Sequence, residues 1–119
     1  MKLSEADIKR ACLDYLQYLQ NQGKLMYLQL NAGEFITQSG HWAKGCPRGT
    51  ADAVVIREIA SANPDDCLDS VEVLFLEFKS KTGKQSQAQK DFQKMVEAQG
   101  CLYVTVRSVE VLMELVPQG

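Results

Sequence analysis

Val73-Leu74-Phe75-Leu76-Glu77-Phe78-Lys79 is the stretch on which the fold turns. Four apolar residues run into two charges separated by one aromatic ring. The run has the length of a strand, and residues two apart in a strand share a face. Glu77 and Lys79 therefore point one way, and Phe78 points into a core. Upstream, Asp52 opens a second apolar run, Ala53-Val54-Val55-Ile56. Two carboxylates and an ammonium at the ends of neighbouring strands suit metal-assisted phosphodiester cleavage. Carboxylate oxygens hold a hard divalent cation, Mg²⁺ or Mn²⁺ in preference to zinc. The cation activates water and offsets the charge developing on phosphate. The lysine can orient the water or neutralise a phosphate oxygen. The same spacing also fits a strand end with solvated charges and one ion pair.

Helices flank these strands. Ser4 reads as an N-cap, with Asp7 three residues on in a capping-box arrangement. Ile8, Ala11, Cys12, Tyr15, Leu16 and Leu19 follow at helical spacing, and Gly23 stops the helix. Glu5 falls at the N-terminal end of this stripe, off the solvent face. A carboxylate there needs a partner, or it complements the helix dipole in the first turn. Residues 24–30 read as a strand with Met26, Leu28 and Leu30 on one face. Residues 31–51 form a long glycine-rich connection, and long loops in compact domains often carry function. It holds His41, Trp42, Lys44 and Arg48, a basic and aromatic mix suited to DNA. His41 could serve as a base, or it is an ordinary solvated loop histidine.

Past Lys79, Lys81-Thr82-Gly83-Lys84 makes a turn, and Ser86-Gln87-Ala88-Gln89 is a second capping box. Ala88, Phe92, Met95 and Val96 continue as a helical stripe that Gly100 ends. Residues 101–106 form a further strand, and Ser108 caps a last helix through Val116. Asn63-Pro64-Asp65-Asp66 marks a turn between the second and third strands. The order is α-β-β-β-α-β-α, an α/β sandwich about a mixed central sheet.

With 119 residues, 45% hydrophobic and 24% charged, the chain is of ordinary size for a single domain spanning 1–119. A net charge of -2 gives no general affinity for polyanions. The distribution is more informative. Charges from Glu58 to Glu77 are all acidic, whereas from Lys79 to Lys94 only Asp91 is. That basic segment can receive a polyanion beside a cation site, or it is a solvated helix face. The four cysteines are scattered and a single histidine is present, which disfavours zinc and fits a reduced, intracellular protein. There is no signal-peptide pattern and no 18-residue apolar span, so no membrane partner is expected.

The ordered set resembles the D-(D/E)-x-K nuclease superfamily, and within it the VRR-NUC (virus-type replication-repair nuclease) family. Four segments carry the resemblance: Glu5; Asn31-Ala32-Gly33; Lys44-Gly45 with Gly49-Thr50-Ala51-Asp52; and Phe75-Leu76-Glu77-Phe78-Lys79 running on through Thr82-Gly83-Lys84 to Ser86 and Gln89. It covers nearly the whole chain and implies a restriction-endonuclease-like core. It also implies that Asp52 and Glu77 are metal ligands, with the Phe78 carbonyl as a third oxygen. Lys79 would be the catalytic lysine, Glu5 a further acidic site residue, and Gln89 would face the site from the second helix. Gly49 would let the backbone pass close to metal or phosphate. The chain departs from the family in having Ala51 where proline is common, and in an apparent insertion at 59–70.

Stand-alone VRR-NUC domains resemble phage Holliday-junction resolvases, homodimers that act on branched DNA. The resemblance thus implies a Mg²⁺- or Mn²⁺-dependent endonuclease of the cytoplasm, or of a host cytoplasm if the chain is viral. Lys44, Arg48, Lys81, Lys84 and Lys90 would contact DNA. The alternative is a non-catalytic nucleic-acid or partner-binding module of the same fold. A sequence-specific restriction enzyme is disfavoured, because the chain is short for a base-reading subdomain.

Overall fold

A computed structural model describes residues 3–60, 65 and 70–119. The elements are α1 (Glu5–Asn21), β1 (Met26–Gln29), β2 (Glu34–Ile36), β3 (Trp42–Lys44), β4 (Ala53–Ile59), β5 (Ser70–Phe78), α2 (Gln87–Ala98), β6 (Leu102–Val106) and α3 (Val109–Leu115). The main sheet has the order β1-β4-β5-β6. Its first two pairings are antiparallel and β5–β6 is parallel, so the sheet is mixed and the chain is α/β. The parallel step needs a crossover, and α2 supplies it.

Capping decides where the helices begin. Ser4 Oγ accepts the Asp7 N–H, and Asp7 Oδ2 accepts the Ser4 N–H. Ser86 and Gln89 repeat the arrangement at α2. From its cap, α1 lays Ile8, Cys12, Tyr15, Leu16 and Leu19 against one side of the sheet. Ala53, Val55, Leu74, Leu76 and Phe78 meet them there, joined by Val106, Leu112 and Val116. The Tyr15 hydroxyl donates to the Val116 carbonyl at 2.5 Å, tying α1 to the end of α3. The other side of the sheet is covered by α2, which has no fully buried residue. There Phe92 meets Phe75 edge-on at 5.3 Å between centroids.

Three expectations change. The long connection contains the β2–β3 hairpin, a separate two-stranded sheet, so the element order gains two strands. The hairpin base is knotted by Cys46 N–H to Asn31 O at 2.7 Å and Gly33 N–H to Cys46 O at 2.7 Å. A Cβ at Gly45 would lie 2.1 Å from the Asn31 carbonyl oxygen, so this closure requires glycine. Met26 and Leu28 do share a face, but β1 is an edge strand and each is 48% exposed. Met95, expected within the buried stripe of α2, is 63% exposed. The turn expected at 63–66, apart from Asp65, and Cys67 lie outside the described residues.

Candidate active site

Antiparallel pairing of β4 with β5 aligns Ala53 with Leu76, which sets Asp52 beside Glu77 at one end of the sheet. Asp52 is fastened on three sides. Its N–H donates to Leu76 O at 3.0 Å, and its carbonyl accepts the Leu30 N–H at 2.8 Å. Its Oδ2 accepts the Phe78 N–H at 2.7 Å, bonding the carboxylate across to the end of β5. Lys9 Nζ, from α1, lies 3.9 Å from Oδ1. Both side chains are about one-third exposed, so this pair contributes less than about 1 kcal/mol.

Glu77 is the one buried charged residue among those described, at 1% exposed. The solvated strand end is therefore not what forms here. Glu77 Oε2 accepts the Tyr103 hydroxyl at 2.6 Å. Tyr103 is placed opposite Phe75 by the parallel register of β5 with β6. Its oxygen in turn accepts Gln85 Nε2 at 3.1 Å, and the same amide donates to Gln93 Oε1 at 3.0 Å. Glu77 Oε1 is buried and has no hydrogen-bond partner among the described residues. Burial is the main cause that raises the Glu77 pKa above its ordinary value. Tyr103 and Lys79 oppose the rise, while Asp52 and Glu5 add to it. The Tyr103 hydroxyl is pushed up as well, by burial and then by its bond to Glu77.

The expected residues therefore meet in part. Asp52, Lys79 and Glu5 each lie within electrostatic reach of Glu77. Glu5 differs from expectation in being exposed, in the first turn of α1. The Phe78 ring is in the core while its N–H holds Asp52. Gln89 Oε1 accepts the Ser86 N–H at 2.8 Å, so its amide is part of the α2 cap. Gly49 has φ +90°, and a Cβ there would lie 2.4 Å from the Ala88 carbonyl oxygen. The loop before Asp52 is thereby pressed onto the start of α2. Lys44, Arg48, Lys81, Lys84 and Lys90 are all exposed. His41 sits in the hairpin turn, with Nδ1 3.0 Å from Ser39 Oγ, on a different sheet from the carboxylates.

Four contributors were not legible beforehand. Tyr103 and Gln85 support Glu77, and Lys9 faces Asp52. Arg107 Nη1 donates to the carbonyls of Ser80 at 2.7 Å and Gly83 at 2.8 Å, fixing the turn that follows Lys79. Ser86 with Gln89 offered a capping signal in the sequence; Tyr103 offered only its place in an apolar strand.

Among the described residues, no three histidine, cysteine or acidic side chains gather into one group that could enclose an ion. The donor set is instead a carboxylate pair. Mg²⁺ is held by one or two carboxylates while keeping several waters, so Asp52, Glu77 and a nearby backbone carbonyl fit it. The unpartnered Oε1 of Glu77 is the atom that such an ion would satisfy. No described helix is long and apolar enough to cross a membrane. No protein family, curated protein or solved structure matches the chain.

Proposed function

We propose that this protein is a metal-dependent, structure-selective DNA endonuclease of the VRR-NUC type, with a restriction-endonuclease-like core. The observation that carries the reading is Glu77, a fully buried carboxylate with one oxygen unpartnered among the described residues, set beside Asp52 and Lys79. A buried charge without compensation is costly. Such an arrangement suits an oxygen-liganded cation site and gives a folded chain little structural benefit.

Asp52, Glu77 and the Phe78 carbonyl would hold Mg²⁺ or Mn²⁺, which supplies Lewis-acid activation of water and phosphate when bound. The chain's own groups do the positioning. The Phe78 N–H and Tyr103 hydroxyl each occupy one oxygen of Asp52 and Glu77, fixing the two carboxylates with respect to each other. Lys79 orients the attacking water or neutralises a non-bridging phosphate oxygen. Water would add to phosphorus as the P–O bond to the leaving strand breaks, the proton lost by the water being released to solvent and the departing oxygen taking one up from solvent. Glu5 adds negative charge at the rim. Gln89 would face the site from the start of α2, where its Oε1 accepts the Ser86 N–H. Lys44, Arg48, Lys81, Lys84 and Lys90 hold backbone phosphates, and a homodimer would set two such sites at a fixed spacing on branched DNA.

The test is cleavage of labelled four-way junction, fork, flap and linear duplex by purified protein with Mg²⁺ or Mn²⁺, beside Asp52→Asn. Metal-dependent cutting that favours branched DNA and falls by about 10²- to 10³-fold in the variant is expected. No cutting of any substrate refutes the reading.

A further inference from the structure

The β2–β3 hairpin belongs neither to the core nor to the cleavage step. Paired residues of a hairpin share a face, and alternate residues return to it. Glu34 pairs with Lys44 and Ile36 with Trp42, so one face carries all four side chains. Ile36 is 60% exposed, and Trp42, at 73%, is more exposed than any other large hydrophobic residue described. A tryptophan standing out from a hairpin into water is unusual in a chain with only one.

Clefts that share lining residues lie between that ring and Asp52. One cleft is lined by Asp52 and Ala32. The next shares Ala32 and adds Gly33, Glu34 and Arg48. A third shares Arg48 and reaches Lys44. A fourth joins Lys44 to Trp42. The track thus runs from Asp52 with Lys9, past Glu34 and the exposed cations Arg48 and Lys44, to an aromatic face. Cations for the backbone with an aromatic surface for a base are what single-stranded nucleic acid requires. In duplex DNA the base faces are already stacked, so the indole can engage an unpaired base only.

We propose that Trp42 is a stacking platform for an unpaired nucleobase near the phosphate bound beside Asp52. Lys44 and Arg48 hold the backbone between. This rests on the nuclease reading and narrows its substrate to DNA with unpaired nucleotides flanking the cut, as in a fork, flap or opened junction.

Because Trp42 is the only tryptophan, its emission reports on this face alone. The experiment titrates the full protein in EDTA with oligo(dT), and separately with a blunt hairpin duplex of matched charge. Saturable quenching by oligo(dT) and little response to the duplex are expected. Trp42→Ala should weaken oligo(dT) binding about 5- to 100-fold, read by anisotropy of the labelled strand, and Trp42→Phe should restore most of it. Trp42 is exposed, so circular dichroism of both variants should match the wild type. Unchanged emission with oligo(dT) demonstrably bound, wild-type affinity in Trp42→Ala, or no binding of oligo(dT) at low salt each overturns the proposal. A concentration-dependent dimer that Trp42→Ala dissolves, without quenching by DNA, would assign the face to a second copy and overturn it as well. The readout is taken without metal, so a protein that binds oligo(dT) through Trp42 but cuts nothing refutes the cleavage reading separately.

Discussion

On the α1 side of the main sheet, Ala53, Val55, Leu74, Leu76 and Phe78 are all 2% exposed or less, packed by Leu16, Leu19 and their neighbours. On the α2 side, the same strands present Phe75, Glu77 and Tyr103 to a helix that buries none of its own residues completely. Both sides come from one alternating sequence, yet the first is apolar and close-packed and the second carries a buried charge held by a chain of hydrogen bonds. The contrast shows how a small domain divides its work. One face supplies the packing that stabilises the fold, which leaves the other able to hold an unfavourable carboxylate in place.

The largest expected effect breaks chemistry without breaking structure. Lys79→Ala and Asp52→Asn should each lower single-turnover cleavage by about 10²- to 10³-fold. Their circular dichroism should stay that of the wild type. A Lys79→Ala protein that cuts at the wild-type rate would remove the lysine from the mechanism. One that loses thermal stability in step with activity would make it a structural partner of Glu77.

Next comes the core side. Leu16→Ala, at a residue 0% exposed, should cost about 2–5 kcal/mol in urea unfolding. Met95→Ala on α2 should change stability by less than about 0.5 kcal/mol. Equal losses at the two positions would mean that α2 is held down by contacts as close as those of α1.

Metal linkage sharpens the comparison further. Mn²⁺ at about 100 times its dissociation constant should add about 2.7 kcal/mol to the folding stability, and nothing to Glu77→Gln. Tyr103→Phe should weaken metal affinity about 10- to 100-fold, because it frees the carboxylate that the ion needs fixed. The pH dependence has a definite sign. The folded state holds the Glu77 proton more tightly than the unfolded chain, since burial raises its pKa above 4.5. In the metal-free protein that contribution is present below about pH 4.5 and is lost as pH rises through the raised value. Wild-type stability relative to Glu77→Gln should therefore fall as pH rises from 4.5 in EDTA, and added Mn²⁺ should reverse the fall. A difference independent of pH would mean that Glu77 titrates normally.

Much of this division was legible in the sequence because it is local. Asp52 and Glu77-Phe78-Lys79 mark strand ends by charge following apolar runs, and Ser4 and Ser86 mark helix starts by side chains three residues on. What was not legible depends on distant pairing. Tyr103 reaches Glu77 only because β6 runs parallel to β5 in one register, which no window of sequence contains. The β2–β3 hairpin was hidden by three-residue strands in a glycine-rich stretch, too short to set up a period. Glu5 was placed off the solvent face by its spacing from Ile8 and Cys12, but the first turn of α1 is exposed up to Ile8.

Gln89 carries the smallest effect and the finest distinction between the two sides. It starts α2, and its Oε1 accepts the Ser86 N–H while Ser86 Oγ accepts the N–H of Gln89. Capping contributions of this kind are about 1 kcal/mol. Gln89→Ala should lower stability by about that amount, and Gln89→Glu, which keeps the acceptor and adds charge favourable to the helix N-terminus, should recover it. If the cap is all that Gln89 provides, cleavage by both variants stays within a few-fold of wild type once the protein is fully folded. If Gln89 also meets substrate or metal-bound water, the two measurements part. Gln89→Glu then regains stability but not rate, because a carboxylate repels the phosphate that the amide would have contacted. The pair of variants therefore separates a helix cap from a site residue at a position where the sequence allows both.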